Sequence, residues 1–296
     1  MNTPNKSFIL RLMSTFFILA YLLINIALPG HANDFYETYS IIPIEVDSSI
    51  YNLEAKIYRP GDTAAHPLII INHGRSLGEE KKRPDLIEFY RNEAVALVGK
   101  GFVVVVPARR GYGNSGGKDA EQNFIYASAN EGAKDIVEIV KYMQEQPYVN
   151  RNKVILMGQS AGGLVSVAAA TKNISGLVGV INFSGGLRQL NSPTGSSDLA
   201  AVFGLLGMLS NKVPMVWIYC ENDSVFPPNY AALAYNAFKS NGGQAKYYLL
   251  PPYGTDGHAF FGGRATIDIW MPIVEGFFDS IGENPNGLVK KGITNM

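Results

Sequence analysis

The chain has 296 residues, of which 47% are apolar and 17% charged, a balance that supports a sizeable hydrophobic core and excludes an intrinsically disordered protein. Its 25 basic and 25 acidic residues cancel to a formal net charge of zero, and no long run of one sign breaks the sequence, so a nucleic acid is excluded as the expected partner. Cys220 is the only cysteine; no disulfide can form within the chain, and stability has to come from packing.

At the N-terminus, Lys6 and Arg11 precede the uncharged run "LMSTFFILAYLLINIAL", which is followed by "PGHAND". This layout predicts a secretory signal over residues 1–32, with the small residues Gly30 and Ala32 placed for cleavage before Asn33. The rival expectation is an uncleaved N-terminal anchor, the one way in which a membrane would enter. Either way residues 33–296 are expected outside the cytoplasm, secreted or periplasmic, and no later stretch is long and apolar enough to span a bilayer.

Next come "YSIIPIEV" and "YNLEAKIYRP", two extended runs joined by "DSSI" and expected to pair as an antiparallel hairpin. Six short, nearly continuous apolar runs follow: "PLIIINHG", "FVVVVPA", "KVILMG", "GLVGVINF", "VPMVWIYC" and "KYYLLPP". Such runs suit parallel strands covered on both faces. Within "VPMVWIYC", Cys220 reads as a small buried hydrophobe. Helix-length segments separate the runs, the clearest from about Asn123 to Gln146, where Ala129, Ala133, Ile136, Val137, Val140 and Met143 form one apolar stripe. The alternation predicts one α/β domain over 33–296, a mostly parallel doubly wound sheet with an N-terminal antiparallel hairpin. Sites in such sheets gather at the carboxyl ends of the strands.

Two stretches spell G-x-S-x-G, the mark of a nucleophilic serine: one around Ser115 in "ARRGYGNSGGKDAEQ", the other around Ser160 in "VILMGQSAGGLVSVAAA". A nucleophile elbow needs a strand that delivers the serine, small residues in a tight turn, and a helix that starts at once. Ser160 meets all three. Ser115 is separated from its strand by Arg109 and Arg110 and is followed by the polar "GGKD", so its segment reads as a flexible loop. A serine also needs a base and a group that orients the base. Of the four histidines, only His73 and His258 stand just beyond strand ends. For the acid, Glu221 and Asp223 follow the run "VPMVWIYC", while Asp256 shares a loop with His258.

Taken together, "NHGRS", "RRGYGNSGG", "GQSAGG", "ENDSVFPP" and "GTDGHAFF" resemble the α/β-hydrolase superfamily, and most closely its dienelactone hydrolase-like and prolyl-oligopeptidase-like branches, over roughly Tyr39 to Ile281. The resemblance implies an α/β-hydrolase fold with a triad in the chain order serine, acid, histidine, hence Ser160, Asp223 and His258. It also implies an oxyanion hole built from the backbone N–H groups of Ala161 and Arg75, with His73 shaping the second loop, and a structural ion pair for Arg110. A substrate-carboxylate role for the side chains of Arg75 or Arg110 is the lesser expectation. One departure matters: dienelactone hydrolases carry a cysteine nucleophile where this chain has Ser160, so lactone hydrolysis does not follow.

The expected activity is hydrolysis of small carboxylic esters through an acyl-enzyme. No cluster of histidine, cysteine and carboxylate has ligand spacing, so neither a metal nor an organic cofactor is expected. The alternatives are a serine peptidase of the prolyl-oligopeptidase-like type and a noncatalytic binding protein on the same fold. Between "NFSGG" and "NKVPM" a short lid is expected, with one helix at "SDLAAVFGLLGMLS" that either packs on the core or gates the site.

Overall fold

Consecutive residues of a strand point to opposite faces of a sheet, so runs such as "LIII" and "VVVV" need apolar cover on both sides. The computed structural model describes residues 35–119, 124–188, 195–263 and 265–283; the expected signal over 1–32 lies outside them. Eight strands form one sheet in the order β1-β2-β4-β3-β5-β6-β7-β8. They are β1 (Phe35–Val46), β2 (Ser49–Pro60), β3 (His66–Asn72), β4 (Val103–Pro107), β5 (Val149–Gln159), β6 (Leu177–Phe183), β7 (Met215–Cys220) and β8 (Ala245–Leu250). The hairpin pairs antiparallel, β2 meets β4 antiparallel, and every later pairing is parallel.

The hairpin is longer than its apolar runs suggested. Pairing continues to Val46 and Ser49, leaving a two-residue turn at Asp47 and Ser48, both with positive φ (51° and 62°). Left-handed residues at both central positions match the twist of a two-residue hairpin, and this let the strands take in residues that had read as loop.

Six helices cover the sheet: α1 (Arg91–Val98), α2 (Ile125–Gln144), α3 (Ala161–Ala169), α4 (Gly195–Leu209), α5 (Pro228–Ser240) and α6 (Ile267–Ser280). Leu68 and Ile70 of β3, with Val103 and Val105 of β4, face α2 and α3, and farther along the same face Trp217 of β7 packs with Phe203 and Phe238. Ile69, Ile71, Val104 and Val106 face the other way, into a core closed by Leu97, Trp270, Val274 and Phe278. The expected stripe of α2 is buried except at Val137, which is half-exposed, while Ile139 is fully buried. The helix between β6 and β7 is anchored in the core through Leu199, Phe203 and Leu206, which makes it a packing helix; residues 189–194 of the expected lid lie outside the described residues.

The loop after β4 is tied to α2 by charge. Arg110 donates from its backbone N–H to Asp135 Oδ2 (3.0 Å) and from Nε to Oδ1 (2.5 Å), and its Nη2 lies 3.3 Å from Glu131 Oε2. Asp135 is fully buried, and removing one partner of a buried pair strands the other charge in a low-dielectric interior. Asp135→Asn is therefore expected to lower the unfolding free energy by about 3–5 kcal/mol, read from the urea midpoint; an unchanged midpoint would disprove the tie.

Candidate active site

At the end of β5 the chain turns sharply into α3. Ser160 sits at the turn with φ 56° and ψ −126°, a backbone conformation that side-chain-bearing residues adopt only when the surroundings force it. Its N–H bonds to Phe183 O of β6 (3.0 Å), and its own carbonyl accepts from Leu164 and Gly186. The flanking glycines are required by contact: a Cβ on Gly158 would lie 2.3 Å from Gly162 O, and one on Gly162 would lie 2.1 Å from Asn72 O. The small residues around Ser160 thus let a helix start against two strands.

The structure brings Ser160, His258 and Asp223 into one line. His258 Nε2 is 3.0 Å from Ser160 Oγ, and His258 Nδ1 is 3.1 and 3.2 Å from the two oxygens of Asp223. Asp223 is buried, and its Oδ1 also accepts from the N–H groups of Val225 and Phe226 at 2.9 and 2.8 Å. An acceptor so fixed holds the imidazole with Nδ1 as donor, leaving Nε2 to take a proton from the hydroxyl. Asp256, the rival acid, has another task. Its Oδ1 accepts from the backbone N–H groups of His258 (2.9 Å) and Ser224 (3.0 Å), and its Oδ2 from Ser224 Oγ (2.6 Å). It joins the histidine loop to the acid loop. Burial pushes its carboxyl up, but these hydrogen bonds outweigh that and hold it below its ordinary value.

Ala161 opens α3, so its N–H belongs to the first turn, whose donors have no intrahelical acceptor. The Gly74–Arg75 loop runs beside it, since a Cβ on Gly74 would lie 3.4 Å from Ser160 Cβ. The Arg75 guanidinium reaches to Arg188 O (3.4 Å). His73, 1% exposed, has both ring nitrogens engaged: Nδ1 donates to Gly74 O (2.7 Å) and Nε2 accepts from the backbone N–H of Arg109 (3.1 Å). It has no acceptor left for a serine proton and shapes the loop instead.

Ser115 is likewise fully engaged. Its Oγ donates to Ala108 O (2.7 Å) and accepts from Glu54 N–H (3.0 Å), and the residue is 4% exposed. Glu54, in β2, also accepts from Asn114 N (2.9 Å) and Asn114 Nδ2 (3.0 Å). The "GYGNSGG" segment is thereby stitched to the sheet, and its glycines admit the Glu54 carboxylate, which a Cβ on Gly113 would meet at 1.9 Å. Glu221, the other acid weighed beside Asp223, is exposed. Cys220 is buried and its thiol is pushed up to about 12 by burial, with the Asp223 carboxylate adding to the effect; it is a packing residue. Among the described residues no group of histidine, cysteine and carboxylate side chains suits a metal ion, and no helix is long and apolar enough to cross a membrane.

Some contributors escaped the sequence reading. Gln159, between Gly158 and Ser160, donates to His258 O (2.9 Å) and accepts from Tyr90 OH (3.4 Å), so it fastens the histidine loop to the elbow. Nothing in a G-x-S-x-G pattern marks that middle residue. Glu54 did leave a trace: a carboxylate inside the otherwise strand-like "YNLEAKIYRP".

Comparison with known proteins places this geometry among relatives. Residues 88–175, which include Ser160 but neither Asp223 nor His258, match the model of the Prolyl oligopeptidase family. The chain is similar to the Uncharacterized 31.7 kDa protein in traX-finO intergenic region of Escherichia coli, with 25% identity over 155 residues, 52% of this chain and 50% of that protein. It spans 50% and 61% of the length of the curated relatives it matches. Among solved structures it is similar to an esterase of Pyrococcus furiosus (15% identity, 82% of this chain and 91% of that one, TM-score 0.60). Another is Thermogutta terrifontis esterase 2 phosphorylated by paraoxon (18% identity, 86% and 97%, TM-score 0.57). At these identities the likeness establishes the fold.

His73 gives the region a pH dependence. Burial, together with the nearby Arg109 guanidinium, holds its imidazole well below the ordinary 6.5. The unfolded chain gains a proton there as pH falls and the folded chain does not. This contribution to stability is present above about pH 6.5 and is lost below it, at up to ~1.4 kcal/mol per pH unit. Urea midpoints measured from pH 7 to pH 5 should fall less steeply in His73→Asn than in the parent; parallel slopes would refute the assignment.

Proposed function

The chain has the α/β-hydrolase fold, and from that premise we propose that it is a serine hydrolase cleaving carboxylic esters, with Ser160 as nucleophile, His258 as base and Asp223 as orienting acid. The observation that carries this reading is the unbroken hydrogen-bonded line from Ser160 Oγ through His258 to Asp223, delivered by an elbow whose strained φ exposes the hydroxyl at the sheet's carboxyl edge. Ser160 Oγ attacks the ester carbonyl while Nε2 of His258 takes its proton. The carbonyl oxygen gains charge and is held by the backbone N–H groups of Ala161 and Arg75, donors already in place before charge develops. His258 then gives the proton to the departing alcohol, and water, activated by the same imidazole, releases the acid from Ser160.

A peptidase reading is favoured by one finding, the match of residues 88–175 to the Prolyl oligopeptidase family. The same three residues serve amide cleavage, and parallel assays on an aryl ester and a proline-containing peptide anilide discriminate the two. Export is also part of the proposal and rests on the pattern of residues 1–32 alone; fractionation of cells expressing the full chain tests it.

Ser160→Ala is expected to lower turnover of a short-chain aryl ester by on the order of 10^6-fold, and Asp223→Asn by about 10^4-fold, the losses seen when such groups are removed from serine proteases. Ser115→Ala should retain turnover while losing about 1–3 kcal/mol of stability through the unsatisfied Ala108 and Glu54 backbone groups. A fluorophosphonate should label the parent and not Ser160→Ala. Retained turnover in Ser160→Ala would overturn the assignment, and absence of labelling in the parent would leave the noncatalytic alternative in its place.

A further inference from the structure

A buried guanidinium is costly unless a countercharge and hydrogen bonds compensate it. Arg110 has Asp135 and Glu131. Its neighbour Arg109, 6% exposed, has far less: Nη1 donates to His73 O (2.7 Å), and the side chain forms no ion pair among the described residues. Its stem is held in place, with Cδ 3.7 Å from where a Cβ on Gly132 would stand and the guanidinium carbon 5.5 Å from the Tyr112 ring centre.

Arg109 lines a small cavity together with Ala161, Leu164, Val165 and Leu187. Ala161 directly follows Ser160, so this space adjoins the carbonyl under attack. The cavity's other charges are internally balanced. Asp119 on its wall is bonded to Lys81, Arg110 is bonded to Asp135, and His73 is held neutral. Asp135 also lies within the field of Arg109, yet both of its oxygens are bonded to Arg110. What remains is one positive charge with unspent donors at the end of an apolar space. The side of the substrate follows from the leaving group. The alcohol must receive its proton from His258, and no residue of the histidine or acid loop lines this cavity, so the cavity faces the acyl portion.

We propose that Arg109 binds a second carboxylate on the acyl part of the substrate, so that the preferred substrates are half-esters of short dicarboxylic acids. A planar guanidinium presents paired donors that match a carboxylate, and the apolar walls suit the short methylene chain between the two carbonyl carbons. The inference rests on the ester-hydrolase reading and deepens it.

The test compares monoethyl glutarate with ethyl pentanoate in a pH-stat. The parent should favour the half-ester in kcat/KM by at least about tenfold, equivalent to ~1.4 kcal/mol. In Arg109→Gln the preference should fall to about one or below, mainly through KM, while Arg109→Lys should keep part of it. Should the glutamine variant fail to fold, the parent and the lysine variant decide, together with inhibition of the parent by free glutarate, which should exceed that by pentanoate at least about tenfold. Cleavage of both esters without preference, equal inhibition by the two acids, or a preference undiminished in Arg109→Gln overturns the inference and leaves the hydrolase reading standing. Failure to cleave either ester, with no fluorophosphonate labelling, removes both.

Discussion

The turn at Ser160 is the constraint on which the rest of the site depends. A serine at φ 56° between a strand and a helix is tolerated only because its neighbours leave no other course. Gly158 and Gly162 allow α3 to start within contact of Asn72 O, and hydrogen bonds from the Ser160 N–H to β6 and from Gly186 to the Ser160 carbonyl lock the backbone. Strain held in this way is maintained by the packing of the whole sheet. It also explains why α3, nine residues long, is buried along its entire length: a helix driven between two layers at its first turn has no face left for solvent, and its sequence is correspondingly small and apolar.

Around this fixed point the loops are fastened by side-chain to backbone bonds. Asp256 holds the histidine loop to the acid loop, Gln159 holds the histidine loop to the elbow, His73 braces Gly74 against Arg109, and Glu54 stitches the glycine-rich segment to β2. None of these residues needs to touch a substrate. Their shared effect is to order loops whose backbone would otherwise be free, at the carboxyl edge of a parallel sheet where strands end and helices begin. The second G-x-S-x-G finds its explanation here: its glycines make room for the Glu54 carboxylate and its serine closes a backbone gap between Ala108 and Glu54.

Charge is distributed unevenly across the same edge. Two adjacent arginines follow β4, and they differ in environment although both are buried. Arg110 turns toward α2 and is neutralised there, whereas Arg109 turns toward the elbow and meets a carbonyl, a ring and an apolar cavity. Buried charge without a partner is expensive in any folded chain, and here the cost falls beside Ser160.

The sequence alone determined the alternation of strands and helices, because continuous apolar runs can be satisfied only by cover on both faces. It also determined which serine stands at an elbow, since "KVILM" before Ser160 and small helix-compatible residues after it are local facts. Chain order, carried by the resemblance, singled out His258 and Asp223, and the backbone brings them to Ser160 across 98 and 35 residues of separation. Only the tertiary structure decided what depends on contacts between distant segments. It gave Asp256 its clamp, His73 its neutral brace and Gln159 its hold on the histidine loop, and it extended the hairpin through a turn at Asp47 and Ser48. It also separated Arg109 from Arg110, two identical neighbours in the sequence. A side chain's charge is written in the sequence, but its compensation is set by whatever the fold brings within a few ångströms.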